Sequence, residues 1–226
     1  MVGRLRIPSH GPNPRSQRTV IAFSRIPLLH VEFRRPQNPW MPRYRMTRTL
    51  ILIDCQSGFN DGHWGQRNNP DFEANANLLL THWRSRSWPV VHVRHASQEI
   101  DSPLRADLPG FAFMDWAEPI LGENEHIKTV NSGFIGTELE NDLRTNGVVD
   151  LVFAGLTTNH CVSTTVRMAG NLGFNVHLVG DACAAFERRG VGGEVFTADV
   201  VHRTALANLH EEFCTVVSTA AVVGLP

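Results

Sequence analysis

The chain has 226 residues, of which 42% are hydrophobic and 19% charged, and its formal net charge is −1 at pH 7. This composition provides enough apolar residues for a hydrophobic core and too few charged residues for a disordered protein. The length suits one large domain, or one domain with an appendage. The balanced charge gives no reason to expect nucleic acid or a membrane surface as a partner, and no apolar run approaches the ~18 residues of a membrane span.

Residues 1–46 differ in composition from the rest. They hold nine arginines against a single acid, Glu32, and seven of the 13 prolines, a density that prevents helix or sheet from propagating. Three interpretations stay open: Met46 is the biological start and the upstream segment is a mis-called extension, the segment is a mitochondrial transit peptide, or it is a genuine basic tail. We expect a disordered extension over 1–46 and a folded domain over 47–226.

From Thr47 onward, short apolar runs alternate with segments of helical periodicity. The apolar runs predict strands at 49–54, 88–93, 148–155, 174–179 and 213–218, with a shorter piece at 126–127. The periodic segments predict helices at 70–87, 138–145, about 160–171 and 199–209. This alternation indicates right-handed crossovers and a parallel sheet covered on both faces, which is a three-layer α/β/α domain of Rossmann-like type.

Ligands of open parallel sheets bind outside the carboxyl ends of the strands, so the residues that follow each strand are the candidates for a site. Asp54 ends the first strand, Lys128 follows the piece at 126–127, and Cys161 follows the strand 148–155. Lys128 is the only lysine among 21 basic residues. Either it survived by chance, or the site needs a compact ammonium that arginine cannot replace.

Cys161 lies at the predicted start of a helix, where Thr158 or Asn159 is a natural N-cap. Free backbone N–H groups and a nearby Lys128 favour a thiolate there, and Asp54 is suited to accept and return the proton. The alternative is a small buried residue packed at a helix start. The other cysteines, Cys55, Cys183 and Cys214, have no comparable context. With no C-x-x-C pair and no signal peptide, we expect free thiols and a cytoplasmic protein.

Three stretches resemble the isochorismatase-like cysteine hydrolase superfamily, which includes nicotinamidases and N-carbamoylsarcosine and ureidoacrylate amidohydrolases: LILIDCQSGF, KTVNSGFIGTELENDL and LVFAGLTTNHCVSTTVRMAGNLGFNVHLVGDACAAF. The resemblance covers 47–219, and its most specific block is G-x-T-T-N-H-C-V-x-x-T. It implies a six-stranded parallel sheet, Cys161 as nucleophile, Asp54 as general acid and base, and Lys128 as the charge that orients both. It also implies a cis peptide between Leu156 and Thr157 that aims the backbone N–H groups of Thr157 and Cys161 at the oxyanion. We also expect a homo-oligomer, a dimer or tetramer.

The chain departs from the metal-dependent nicotinamidases, which resemble one another in a D-x-H…H arrangement after the second strand. In this chain the corresponding sequence is HVRHASQEIDSPLRADLPG, which lacks the D-x-H…H spacing. We therefore interpret His92 and His95 as core or rim residues. We therefore predict no metal and no cofactor. Isochorismatases proper act on a vinyl ether without a cysteine nucleophile, so Cys161 favours hydrolysis of a C–N bond.

Aromatic residues near the catalytic candidates are candidates for an apolar pocket. We select Phe59 and Phe134, each within six residues of a proposed catalytic group, together with Gln56 and Trp64. The leading hypothesis is hydrolysis of an amide, ureido or carbamoyl bond of a small metabolite through a thioester. The alternatives are a hydrolase of this fold acting on a non-amide substrate, and a non-catalytic α/β domain that binds a small molecule. No G-x-G-x-x-G follows the first strand, which weakens a dinucleotide-binding interpretation.

Overall fold

The computed structural model describes residues 48–224, and the prediction for 1–46 falls outside this range. Within it, the strands are β1 (Thr49–Ile53), β2 (Val90–His95), β3 (Asn124–Lys128), β4 (Asp150–Leu156), β5 (Asn175–Ala184), β6 (Arg188–Arg189), β7 (Val195–Phe196) and β8 (Thr215–Val217). The helices are α1 (Phe72–Arg84), α2 (Leu139–Thr145), α3 (Ser163–Asn171), α4 (Ala198–Leu209) and α5 (Thr219–Val223). In this part of the chain, no helix is long and apolar enough to cross a membrane.

Six strands form one parallel sheet in the order β3-β2-β1-β4-β5-β8. The chain builds outward from β1 in one direction and then crosses to β4 to build the other half. The predicted fold class, a three-layer α/β/α domain with a six-stranded parallel sheet, is confirmed. The reversal of strand order falls between β1 and β4, the position at which open α/β sheets form their binding crevice.

Alternate side chains of β1 enter different apolar layers, as its unbroken apolar sequence requires. Leu50 and Leu52 belong to the layer that also contains the apolar face of α1, while Ile51 and Ile53 belong to the layer formed with α2 and α3. All five residues of β1 are buried. A strand held on both faces in this way gives the residue that follows it a fixed position.

The predicted strand at 174–179 continues to Ala184, because the sequence Gly180-Asp181 that suggests a turn is part of β5. The side chains of Asn69 and Asn75 donate hydrogen bonds to the backbone carbonyl of Asp181, and the Asp181 carboxylate accepts from the backbone and hydroxyl of Thr219. These partners, distant in sequence, satisfy polar groups that a turn would expose to water. After β5 the chain forms a small antiparallel hairpin, β6–β7, which we did not predict.

Gly155, in β4, has no room for a side chain. A Cβ atom there would lie 2.0 Å from the carbonyl oxygen of Ile53, and the residue has a φ of +129° that L-amino acids rarely adopt. The absence of a side chain lets β4 approach β1 closely, just before both strands deliver their site residues.

Candidate active site

Asp54, Lys128 and Cys161 meet at the carboxyl edge of the sheet. The Lys128 ammonium donates a hydrogen bond to Asp54 Oδ2 at 2.7 Å and contacts Cys161 Sγ at 3.3 Å. Asp54 is 0%, Lys128 1% and Cys161 8% exposed. The structure thus brings together the three groups that the strand ends predicted, with the ammonium between carboxylate and thiol.

Each of the two charged groups is fixed by its strand. Asp54 directly follows β1, and its backbone N–H donates to the carbonyl of Val93 on β2 at 2.7 Å. Asp54 has a φ of +51°, in the left-handed region where non-glycine residues are uncommon and Asp and Asn are the most tolerant of them. Lys128 is the last residue of β3. Because β2 lies between β3 and β1 in the sheet, the long Lys128 side chain must span the width of β2 to reach the carboxylate.

The local structure around Cys161 differs from the predicted capped α-helix. Thr158–Val162 form a single π-helical turn before α3, and the capping residue is Thr157, whose side chain makes no capping bond. Neither predicted N-cap acts as one, because the Thr158 hydroxyl bonds His202 Nδ1 at 2.8 Å and Asn159 faces the cavity. π-turns within helices are frequent at functional sites. The peptide bond between Leu156 and Thr157 is cis.

Burial raises the pKa of the Cys161 thiol well above its usual range, and the Asp54 carboxylate raises it further, while Lys128 acts in the opposite direction. The expectation of a thiol with a lowered pKa is therefore wrong. The sequence pattern revealed the cation but not the depth of burial, which is the larger effect. The surroundings of Cys161 therefore favour its protonated form, beside the 2.7 Å pair of Lys128 and Asp54.

Two further residues contact this group, and the sequence analysis did not select them. His95, the last residue of β2, lies with Nδ1 3.1 Å from the Lys128 ammonium, and the Cys161 thiol donates to Asn131 Oδ1 at 3.7 Å. Both follow the rule that selected Asp54, since His95 ends β2 and Asn131 lies three residues after β3. The rule is that residues at or just after the carboxyl end of a strand are candidates for the site. Applied to every strand, it identifies both His95 and Asn131.

An Asp54 oxygen, a His95 nitrogen and Cys161 Sγ lie within 4.8 Å of one another, a set of donor types that suits zinc. The Lys128 ammonium contacts all three residues, at 2.7, 3.1 and 3.3 Å. A metal ion would have to displace this cation or overcome its repulsion. The groups of Asp54, His95 and Cys161 that could bind a metal are therefore arranged around the Lys128 ammonium.

A cavity of about 260 Å³ opens above Cys161. Its lining combines aromatic and polar residues: Phe59, Trp64, His95, Ser97, Glu99, Ser102, Leu104, Asn131, Thr157, Asn159, His160, Cys161, Phe186 and Arg188. Phe59 contacts both Trp64 and Phe186, with ring centroids 5.0 and 6.1 Å apart. Two of the four predicted pocket residues, Phe59 and Trp64, thus form an aromatic wall with Phe186.

The other two predicted pocket residues, Gln56 and Phe134, lie elsewhere. Gln56 is fully buried, and its side chain bonds the backbone of His95 and the carbonyl of Phe111. The Phe134 ring stacks on Phe174 at 6.1 Å and packs against the core layer of α2 and α3. Closeness in sequence to Asp54 or Lys128 did not place them in the cavity, because contacts with distant residues hold both side chains elsewhere.

The cavity mouth carries opposite charges. Arg188 donates to His160 Nε2 at 3.2 Å, and burial together with this guanidinium lowers the pKa of His160. Glu99 lies on the same lining. A positively and a negatively charged side chain therefore lie on the same lining as the aromatic wall and the buried thiol. This lining suits a small molecule with a planar part and a polar part.

Comparison with known proteins agrees with this fold. Residues 48–221 match the family model of the isochorismatase domain. The isochorismatase family protein YrdC of Bacillus subtilis (strain 168) is 42% identical over 176 residues, covering 78% of this chain and 94% of YrdC. An isochorismatase-family crystal structure from Chromobacterium violaceum ATCC 12472 superposes with a TM-score of 0.77 at 44% identity, covering 81% of this chain and 97% of that one.

Some relatives carry a substrate in their names. The ureidoacrylate amidohydrolase RutB of Methylobacterium radiotolerans is 35% identical over 120 residues, which cover 51% of this chain and 42% of RutB. The family model and the extent of the match to YrdC decide the assignment. This chain belongs to the isochorismatase family of hydrolases.

Proposed function

We propose that this protein is a cysteine hydrolase that cleaves a C–N bond, in an amide, ureido or carbamoyl group, of a small metabolite. The observation that carries the proposal is the contact of the Lys128 ammonium with both Asp54 and Cys161, at the floor of a cavity that reaches the thiol. A nucleophile, a proton acceptor and a fixed positive charge within one contact shell are the components of covalent acyl transfer.

In the first step, Asp54 accepts the proton of the Cys161 thiol while Sγ attacks the substrate carbonyl carbon. Asp54 Oδ1 is buried and has no hydrogen-bond partner among residues 48–224, so it is available for this proton. The carbonyl oxygen becomes an oxyanion, for which the backbone N–H groups of Thr157 and Cys161 on the cavity wall are the proposed donors. Lys128 keeps the charge of the site balanced as the proton moves.

The tetrahedral intermediate then collapses. The C–N bond breaks, the leaving nitrogen takes the proton from Asp54, and the acyl group remains on Sγ as a thioester. Water attacks the thioester carbonyl and gives a proton to Asp54. The C–S bond breaks, the carboxylic or carbamic acid leaves, and Asp54 returns the proton to Sγ. The cycle consumes one water and leaves the site unchanged.

The size and lining of the cavity support a small substrate. A cavity of about 260 Å³ lies below the ~300–1,000 Å³ typical of sites for drug-sized ligands. The wall of Phe59, Trp64 and Phe186 suits a planar group beside the reacting carbonyl. The similarity to RutB, an amidohydrolase by name, supports the C–N bond over the vinyl ether of isochorismatase proper.

The proposal is tested by incubating the protein with a panel of small amides, ureides and carbamoyl compounds and measuring released ammonia or amine. On any substrate found, we expect Cys161→Ala to lower kcat/KM by at least ~1,000-fold, because the nucleophile is lost. Cys214→Ala is the matched control, since Cys214 is also buried but directly precedes the edge strand β8 and does not line the cavity. It should keep at least half of the activity.

Mass spectrometry of the wild-type protein quenched during turnover should show the acyl group on the peptide that contains Cys161. A Cys161→Ala protein that hydrolyses the substrate at close to the wild-type rate would contradict the covalent mechanism. Similar thermal midpoints for both variants establish that lost activity is not lost fold.

A further inference from the structure

Gln56 uses its whole side-chain amide to hold neighbouring backbone. Its Oε1 accepts from the His95 N–H at 2.8 Å, and its Nε2 donates to the carbonyls of His95 and Phe111, each at 3.1 Å. The residue is fully buried and so cannot meet substrate. Two hydrogen bonds to the backbone of one residue fix that residue with a precision that ordinary strand pairing does not give at the end of a strand.

The residue held in this way makes the third contact of the Lys128 ammonium. An ammonium group has three donors and no acceptor, so His95 Nδ1, 3.1 Å away, must present a lone pair. The imidazole is then neutral, with its proton on Nε2. Burial and the nearby Lys128 both lower the pKa of His95, which favours this neutral form.

The three donors of Lys128 therefore have three acceptors: Asp54 Oδ2 on one side, Cys161 Sγ on another, and His95 Nδ1 on the third. Without the third acceptor, the ammonium would be free to move toward the carboxylate, its strongest partner, and away from the thiol.

We propose that neutral His95, held through its backbone by Gln56, is a positioning residue that keeps the Lys128 ammonium in contact with both Asp54 and Cys161. The inference rests on the proposed function, in which that ammonium supports thiolate formation. His95 acts through Lys128 and does not exchange a proton with substrate.

Protonation of His95 would remove the acceptor lone pair and set two cations against each other. The charged and titratable groups that face the imidazole are Lys128 on β3, Asp54 after β1, Glu99 in the loop after β2 and the Cys161 thiol. Asp54 and Glu99 favour protonation, while Lys128 opposes it. The positioning is therefore complete at neutral pH and is lost as the pH falls below the lowered pKa of His95.

The test compares His95→Asn with His95→Leu. Asparagine places an acceptor oxygen near the position of Nδ1 and does not titrate, whereas leucine has a similar volume and no acceptor. The probe is iodoacetamide, with the alkylation of the Cys161 peptide followed by mass spectrometry. At pH 8 we expect His95→Leu to react at least 5-fold more slowly than wild type, and His95→Asn to react within 2-fold of it.

The second measurement is the pH dependence of the same rate from pH 8 to 4.5, with circular dichroism to establish that the fold persists. The ratio of the wild-type rate to the His95→Asn rate should decrease as the pH is lowered, because only the wild-type protein loses its acceptor, the Nδ1 lone pair of His95. Equal rates for His95→Leu and wild type at pH 8, or a ratio that rises as the pH falls, would overturn the proposal. The latter would mean that the imidazolium stabilises the thiolate directly.

Alkylation needs no substrate, so this test separates the two proposals. If the amide panel gives no turnover while the alkylation rates change as expected, the proposed reaction fails and the role of His95 stands. If a substrate is found, kcat should fall at least 10-fold in His95→Leu. Because His95 also lines the cavity, the alkylation rate, which needs no substrate, separates its effect on the ammonium from any effect on substrate binding.

Discussion

Glu123 and Asp54 are both buried carboxylates paired with a cation, and their oxygens are used differently. Glu123 accepts from Arg84 Nε at Oε1, and from Arg84, His92 and the Ile120 N–H at Oε2, at 2.8 to 3.0 Å. Burial alone would raise the pKa of Glu123, but these donors lower it to about 2. At Asp54, Oδ2 accepts from Lys128 and Oδ1 has no partner among residues 48–224.

The two pairs, Glu123–Arg84 and Asp54–Lys128, also differ in their position relative to the cavity. Glu123, the residue directly before β3, is bonded to Arg84 of α1 and His92 of β2 and so ties these elements together. Neither Glu123 nor Arg84 lines the cavity. The Asp54 group lies at the cavity floor beside a thiol. A carboxylate whose oxygens are fully used stabilises a structure, whereas one that retains a buried, unpartnered oxygen next to a nucleophile is prepared to take a proton.

The largest expected difference between the pairs comes from exchanging lysine and arginine. Lys128→Arg keeps the charge, but the planar guanidinium would bind Asp54 bidentately and move both partners from their contact distances. Misplacement of about 1 Å costs on the order of 100-fold in rate, and we expect at least that loss in kcat/KM. Arg84→Lys, the matched exchange at the structural pair, should leave kcat/KM within 2-fold. A Lys128→Arg protein within 3-fold of wild type would remove Lys128 from the mechanism.

Glu123→Gln should show the opposite pattern. The amide nitrogen of glutamine is a donor and cannot replace the carboxylate oxygen that faces the Arg84 guanidinium, so a partly buried cation loses its charged partner. We expect a loss of about 2 kcal/mol in the free energy of unfolding, measured by urea denaturation, with kcat/KM within 2-fold of wild type. Unchanged stability, or a large loss of kcat/KM at full stability, would contradict the division into a structural and a catalytic pair.

The smallest expected effect is that of metal removal. Because the Lys128 ammonium contacts Asp54, His95 and Cys161, we expect dialysis against a strong chelator to leave activity unchanged. Activity that is lost on dialysis and restored by zinc, iron or manganese would show that a metal occupies this position. Lys128→Ala is the informative variant, since it leaves the three donors without their cation and should bind zinc more tightly than wild type, by isothermal titration.

Much of the fold followed from the sequence, because β1 and β4 are short apolar runs bounded by polar residues and α1 has clear helical periodicity. The meeting of Asp54, Lys128 and Cys161 was predicted on the same basis, since parallel strands end at one edge. Their catalytic roles stay predictions.

Other features depend on contacts that no local pattern encodes. The direction of the Gln56 side chain depends on where β2 ends, and Phe134 turns to the core because Phe174 lies there. The pKa of Cys161 depends on its burial, which is set by the whole cavity wall. The length of β5 depends on asparagines more than 100 residues earlier in the chain.

Trp64 gives the cavity an optical reporter. Among the tryptophans of the described residues, it is the one that lines the cavity, with its indole N–H donating to Gly58 and its ring against Phe59 and Phe186. A ligand that enters against this wall changes the solvent and the quenching groups around the indole, and so changes its fluorescence. In a Cys161→Ala protein, where bound compounds are not turned over, fluorescence titration can rank ligands by affinity before any reaction has been found.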